Sequence, residues 1–483
     1  MSPAASANKK RRWLITLSVL LLLATIFWWS RSGPTELDRY KAQLIAQGEI
    51  FDLDQIAPKR TGSEPDGDAP LEQAVKKFKQ NIQQMKVGLF TLEHSTNSHW
   101  RVIWYANTNA LTPAQRAPLW QQMEADMENR RADLLLLSQA LKNPPLEKGG
   151  DYRDNLNYPK VNYHLRRSTA YLLQNAVIAD THARRGDDAA TSMIALFDLT
   201  DLQREEWSVV NQVTRPAITS LSLSALNFGL ESRIWSEPQL STFQRRLENI
   251  SLVTNFNHAL LYERAYGVRS FKLAREESFS VNFKGGYDNP WAPLLTLYWH
   301  SGGQNHDEHL FLRTQQERLD ISRVQAQSPH WSDAIKQLEA IDASIPYGSQ
   351  KPNLDGKSWL TQNLTLRIVK AFSILALAET RRQQAIVATA LERHRLKHGH
   401  YPDTLAKLIP DFLAQIPHDP MDGRPLRYRL NPDGTFTLWS IGFDGKDDGG
   451  DFSMPDPKKQ NFPQDARDLA WPRLDPIDLP PNP

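Results

Sequence analysis

The chain has 483 residues, 40% hydrophobic and 23% charged, with 57 Lys and Arg against 55 Asp and Glu. Such a length and balance fit a folded body of two or three domains, or of one domain and an extended helical array, rather than a disordered chain. It contains no cysteine, which excludes disulfides, thiolate metal sites and a cysteine nucleophile.

The net charge of +2 conceals an asymmetry. Lys9, Lys10, Arg11 and Arg12 stand together, and 57 less these four leaves 53 basic residues against 55 acidic ones. The remainder carries no basic footprint for nucleic acid. The four cations precede "WLITLSVLLLLATIFWW", Trp13 to Trp29, a run free of charge. A bilayer span needs roughly 17–25 such residues, and Trp13, Trp28 and Trp29 would lie where indole rings favour the membrane interface. A cleaved secretory signal is the competing reading, but Trp28, Trp29, Ser30 and Arg31 offer no small-x-small cleavage site. Arg11-Arg12 alone is a weak twin-arginine signal. The positive-inside rule keeps the first residues cytoplasmic and sends everything beyond Ser30 across the membrane, to the periplasm in a bacterium.

The segment "PKRTGSEPDGDAP", Pro58 to Pro70, reads as a tether. From Leu71 to about Lys397 the pattern is helical. Thr112, Pro113 and Gln115 form a capping box at the head of a segment that stops at Asn143-Pro144. Tyr163 to Arg185 is expected to end on Gly186 as C-cap, with Asp187 and Asp188 capping the next helix, so "ARRGDDAATSMIAL" is a helical hairpin. Its GDxxxA pattern resembles tetratricopeptide-type pairs, yet no fixed period exists and an irregular all-α body is expected. Ser236 and Gln239 repeat the capping-box logic. "WRVIWY", Trp100 to Tyr105, is a candidate strand. A helix-prone run from about Leu360 to Lys397 closes the region.

From Tyr401 the prolines at 402, 410, 417, 420, 425 and 432 forbid a long helix. "LRYRL" and "TFTLWSI" alternate faces, with Leu426, Tyr428 and Leu430 on one side and arginines on the other. "NPDG", Asn431 to Gly434, is the turn between them, which makes a β-hairpin. The loop "SIGFDGKDDGGD", Ser440 to Asp451, leaves its second strand with four aspartates and four glycines.

The order "ALERHRLKHGHYPDTLAKL", "IPHDPMDGRPLRYRL" and "SIGFDGKDDGGD" resembles the head of the major pseudopilin of the type II secretion system, over about Ala390 to Asp451. In that family a long helix enters a G-x-Y-P-x-x-L stretch, then a DP-aromatic-G-x-P-Y-x-Y stretch, then a hairpin closed by an aspartate-rich calcium loop. The resemblance implies calcium ligands at Asp444, Asp447 and Asp448, with carbonyls near Ile441 and Lys446, and Asp451 as a compensating carboxylate. The loop is shorter here than in the family. The prepilin-peptidase signature is absent, so the chain is not itself a pilin subunit; it resembles uncharacterised bacterial membrane-anchored proteins that attach such a head to a long helical region. On the residues alone, carboxylates on a glycine-rich loop suit a hard cation with six to eight oxygen ligands, and a solvated acidic turn is the alternative. Phosphate is disfavoured by the negative charge and by the lack of a P-loop pattern.

Two histidine groups are candidate sites. "WHSGGQNHDEHLFL" holds His300, His306, Asp307, Glu308 and His309, with His306 and His309 at helical spacing, but a helix start is the plainer reading. His394 and His398 in "HRLKHGH" sit among Arg393, Arg395 and Lys397, as expected for a solvated helix end before a C-cap glycine. No nucleophile elbow or dinucleotide fingerprint occurs. Most of the 14 tryptophans are expected in the core or at the membrane interface rather than stacked on a sugar.

The expected architecture is mainly α. It runs from a basic segment (1–12) through a transmembrane anchor (13–30), a polar tether (31–69) and an irregular helical-hairpin body (70–364). A long helix with a small α+β pseudopilin-like head (365–452) and a proline-rich tail (453–483) follow. The expected role is structural or interactive, with a protein partner and a calcium-binding head. A periplasmic hydrolase built on the histidines at 300–309 and an accessory pseudopilin are the alternatives.

Overall fold

The computed structural model describes residues 35–56, 71–77, 90–94, 99–104, 112–142, 163–202, 208–276, 299–345, 358–365, 368–451, 453 and 467–474. The expected anchor lies outside the described residues; of the expected tether, residues 35–56 are described and carry a helix, Glu36–Ala46. Among the described residues no helix is long and apolar enough to cross a membrane.

The protein is mainly helical, with two small sheets. The main helices are α1 (Glu36–Ala46), α2 (Pro113–Glu128), α3 (Arg131–Lys142), α4 (Tyr163–His182), α5 (Gly186–Leu202), α6 (Val209–Glu231) and α7 (Glu237–Asn249). They continue with α8 (Leu252–Glu276), α9 (Gln304–Gln327), α10 (Trp331–Ser344), α11 (Trp359–Leu364) and α12 (Val369–His398). The strands are β1 (Phe90–His94), β2 (His99–Trp104), β3 (Arg427–Leu430), β4 (Phe436–Ser440), β5 (Leu469–Ala470) and β6 (Arg473–Leu474). The sheets have the orders β1-β2-β6 and β3-β4-β5. The candidate strand at Trp100 is thus real, antiparallel to β1 and parallel to β6.

Contacts divide the chain into two compact units, one of residues 1–55, 267–315 and 346–366, the other of residues 56–266, 316–345 and 367–483. In the smaller unit, Leu37, Leu44 and Leu312 form one apolar cluster, and Phe271, Ala274, Trp299 and Phe311 form another. Gly267 has no alternative there, because a Cβ would lie 2.0 Å from the Phe311 ring.

The larger unit is organised on α12. It packs against α6, α7, α10 and β4, while α4, α5 and α6 pack on one another. The α4–α5 hairpin forms as expected, but its left-handed residue is Arg184 (φ 59) and not Gly186. Gly186 instead begins α5 where a Cβ would press on Ile234 at 3.3 Å. The turn is held by Asp180, buried, which accepts from Arg131 at 2.8 Å and from Arg185 at 2.8 Å. The capping boxes at Thr112 and Ser236 both form. The segment after Thr112 breaks into two helices at Asn129-Arg130, and the run after Leu360 breaks between α11 and α12.

The start of α12 has no capping side chain of its own. Asp342, at the end of α10, supplies one through space. Its Oδ2 accepts from the N–H of Ile368 at 3.1 Å and of Val369 at 3.3 Å, while Oδ1 pairs with the buried Arg318. A carboxylate there satisfies orphan donors and meets the positive end of the helix dipole. Asp342→Ala removes the cap and takes away the carboxylate that neutralises a buried guanidinium, a class of change that costs about 3–5 kcal/mol. We expect a loss of that size in urea unfolding. A loss below about 1 kcal/mol, the size of an ordinary exposed pair, would contradict this role.

Candidate functional site

The C-terminal head begins where α12 ends. Gly399 takes the left-handed conformation (φ 84) that closes a helix, and its N–H donates to Arg395 O at 2.7 Å. The linker then folds back on α12. The Tyr401 hydroxyl donates to Glu392 at 2.9 Å, and His394 Nδ1 donates to the His400 carbonyl at 3.0 Å. His394 is therefore buried, contrary to the solvated helix end expected of it. Its ring packs on His398 and Phe412. Burial, assisted by the charges of His398, His400 and Lys407, holds its pKa below the usual histidine value.

The hairpin forms in the expected place. Arg427 pairs with Trp439 and Leu430 with Phe436, and Gly434 (φ 79) closes the NPDG turn. The arginines do not simply face water. Arg427 is largely buried and pairs with Asp419 at 2.6 Å and with Asp422.

Asp419, from the "HDPMDG" stretch, is the hub of the head. Fully buried, it accepts from Met421 N (2.9 Å), Ser440 Oγ (2.7 Å), Ile441 N (3.0 Å) and Arg427 Nη1 (2.6 Å). Burial raises its pKa, against those four bonds. The sequence signal was faint: an aspartate before a proline, within an otherwise turn-like stretch.

A second hub is Asp468, in the "DLAWP" segment that supplies β5. It accepts from Gly450 N at 2.7 Å and Asp448 N at 3.4 Å, so it grips the aspartate-rich loop from inside. The backbone N–H of nearby Trp471 donates to Leu438 O at 2.7 Å, and Arg381 and Gln384 of α12 donate to the carbonyls of Ala470 and Leu469. The segment is thereby stitched to both the hairpin and α12.

The four predicted ligands do not converge. Asp444 accepts from Lys446 N at 3.0 Å, and Asp448 is exposed. Asp447 accepts from Trp439 Nε1 and Gly449 N, both at 3.0 Å, and lies 3.4 Å from Arg427. The Trp439 bond is the main reason its pKa is lowered. Asp451 accepts from Ser453 N at 2.9 Å and pairs with Arg467 at 3.2 Å. Among the described residues no group of three or more His, Asp or Glu is arranged to hold a metal ion.

A small open cleft of about 70 Å³ lies between the end of α6, the C-terminal half of α12, the hairpin and Trp471, lined in part by Glu231, Arg233, Glu392, Tyr401 and Phe436. Its deepest carboxylate is already engaged. Glu392 accepts from Arg395 Nε at 2.8 Å and Nη2 at 2.6 Å besides the tyrosine. The cleft is the seam of the joint between head and helix.

The motif at 306–309 is structural in two of its four residues. Asp307 caps α11, accepting from Leu360 N (2.8 Å) and Thr361 N (3.0 Å), and also from Trp299 Nε1 (3.1 Å). Glu308, fully buried, pairs with Lys41 and Arg275. Burial, with Arg275 nearby, pushes the Lys41 amine down to about 8. His309 lies 3.9 Å from Glu36 and edge-on to Tyr40. A metal site would have to form on His306 and His309 without these carboxylates.

Comparison with protein families, with curated proteins and with solved structures finds no match.

Burial, with the charges of Asp447 and Asp448, lifts Asp468 to about 6, against an ordinary aspartate value near 4. Between those values the folded protein holds a proton that the unfolded chain has lost, so this group's stabilisation is complete below pH 4 and declines as pH rises to 6. Asp468→Asn removes that dependence. The stability of the parent relative to the variant should fall by about 2–3 kcal/mol between pH 4 and pH 7, read by urea unfolding. Parallel curves would contradict the assignment.

Proposed function

We propose that this chain is a membrane-anchored interaction protein of the bacterial periplasm, carrying a pseudopilin-like head that engages a protein partner of the envelope or secretion machinery. One observation supports it above the rest: a long helix, a glycine turn, a hairpin and an aspartate-rich loop follow one another at residues 369–451, in the order of the family's head. Two features fit this role. Leu396 at the end of α12 and Ile409 and Leu430 of the head are each at least 36% exposed, and the polar groups at the centre of the head are consumed in internal bonds. The anchor reading rests on the charge-free run from Trp13 to Trp29 behind its four cations.

Calcium belongs to this proposal as a ligand that would reorganise the loop. Asp444 and Asp448 are exposed, whereas Asp444 would have to give up its bond from the Lys446 N–H and Asp447 its bond from Trp439 for the ion. A cation bound only by the folded form stabilises it by RT ln(1 + [L]/Kd). The full chain, melted in detergent with saturating calcium and with chelator, should differ by several degrees in the midpoint. Superimposable curves would reduce the loop to a turn. For the partner, in-cell crosslinking from Ile409→Cys and Leu430→Cys, in a chain otherwise free of cysteine, should yield one discrete adduct. Labelling with no adduct from either position would argue against a docking head.

The hydrolase alternative rests on the histidines at 300–309, beside which Asp307 and Glu308 are committed to a helix cap and to ion pairs.

A further inference from the structure

We infer that the junction between α12 and the head is a proton-operated latch: charging His394 releases residues 399–413 from the end of the helix. His394 is 6% exposed. Its ring centroid lies 4.3 Å from that of His398, 5.9 Å from that of His400 and 5.5 Å from that of Phe412. Because a carbonyl can only accept, the bond to His400 O fixes the proton on Nδ1 and leaves Nε2 as the site that acid would charge. That single ring thus touches the helix, the linker and the loop beyond it.

The surroundings offer an imidazolium little relief. On its own helix stand Arg393, Arg395, Lys397 and His398; the linker adds His400, and the short helical turn Leu405–Leu408 adds Lys407. The nearby carboxylates already face other cations. Glu392 pairs with Arg395, Asp411 with Lys397 at 2.8 Å, and Asp403 with Lys407 at 2.9 Å. From α7, Glu237 pairs with Arg393 at 2.7 Å, and Glu248 accepts from Gln244, which also donates to Phe412 O at 2.8 Å. A further positive charge here meets these cationic and ionisable neighbours, and the joint opens to let water screen them.

The sign follows from the neutral ring being the folded form. The histidine's contribution is complete above the ordinary imidazole range near 6.5 and is lost as pH falls through and below it. Asp468 responds in the opposite direction, so global stability would blur the two and a local probe is needed.

Hydrogen exchange of the full chain in detergent at pH 7.5 and pH 5.5, corrected for the intrinsic pH dependence, reads the latch directly. Protection of amides in 399–413 should fall several-fold at the lower pH while residues 375–391 keep theirs. His394→Gln, which cannot be charged, should give the same protection at both values. Lys407→Ala, at an exposed position, should weaken the loss of protection at pH 5.5, because it removes a charge that repels the imidazolium and frees the Asp403 carboxylate. Equal protection of 399–413 at both pH values in the parent would overturn the inference, as would an unaltered pH response in either variant.

Discussion

From Ala371 to Arg395 no residue of α12 is exposed. A helix buried on every side has no free face to lose, so each neighbour that leaves it uncovers apolar surface at roughly 25 cal/mol per Å². Helices α6, α7 and α10 and the strand β4 supply that cover. Alanines at 371, 376, 378, 385, 388 and 390 keep the helix narrow enough for them to approach. The head therefore does not stand at the tip of a free stem. It is one wall of the cavity in which its own helix lies.

Burying such a helix also buries polar groups, and the fold answers with arginine. Arg382 reaches Glu379 through two donors and Leu247 O through a third, while Arg215 donates to Thr200 O, Ser251 O and Asn255. Arg318 meets the carboxylate that caps α12. A guanidinium suits this task because its planar fork satisfies several acceptors at once and cannot discharge. Asp180, Asp419 and Asp468 do the reverse job, gathering backbone and side-chain donors around one carboxylate. These groups contribute specificity of arrangement more than net stability, since their desolvation offsets much of the attraction.

The contrast explains what could be read from the chain. Capping boxes at Thr112 and Ser236, the proline punctuation after Tyr401 and the NPDG turn are local devices, and each produced its element where the residues stand. The hairpin and the strand at Trp100 followed from alternation. Burial of polar residues was not legible. "ETRRQQ", Glu379 to Gln384, is polar throughout, yet Glu379, Thr380, Arg382 and Gln384 are buried. Likewise Gly186 reads as a C-cap and is a packing contact, because Arg184 takes the strained position instead. The aspartate-rich loop shows the limit most clearly. Its composition suggests outward ligands converging on an ion, whereas the contact that holds it comes from Asp468, some 20 residues further along, and no local pattern announces a partner at that distance.

What most directly tests this picture is whether the head and the helix unfold together. Native-state hydrogen exchange of the full chain at pH 7.5 in increasing urea measures opening free energies for 375–391 in α12 and for 427–441 in the hairpin. Joint burial requires the two sets to converge on one opening energy, with the slope of global unfolding. Were the hairpin amides to exchange through a separate opening several kcal/mol lower, with α12 still protected, the head would be an appendage and the account would fail.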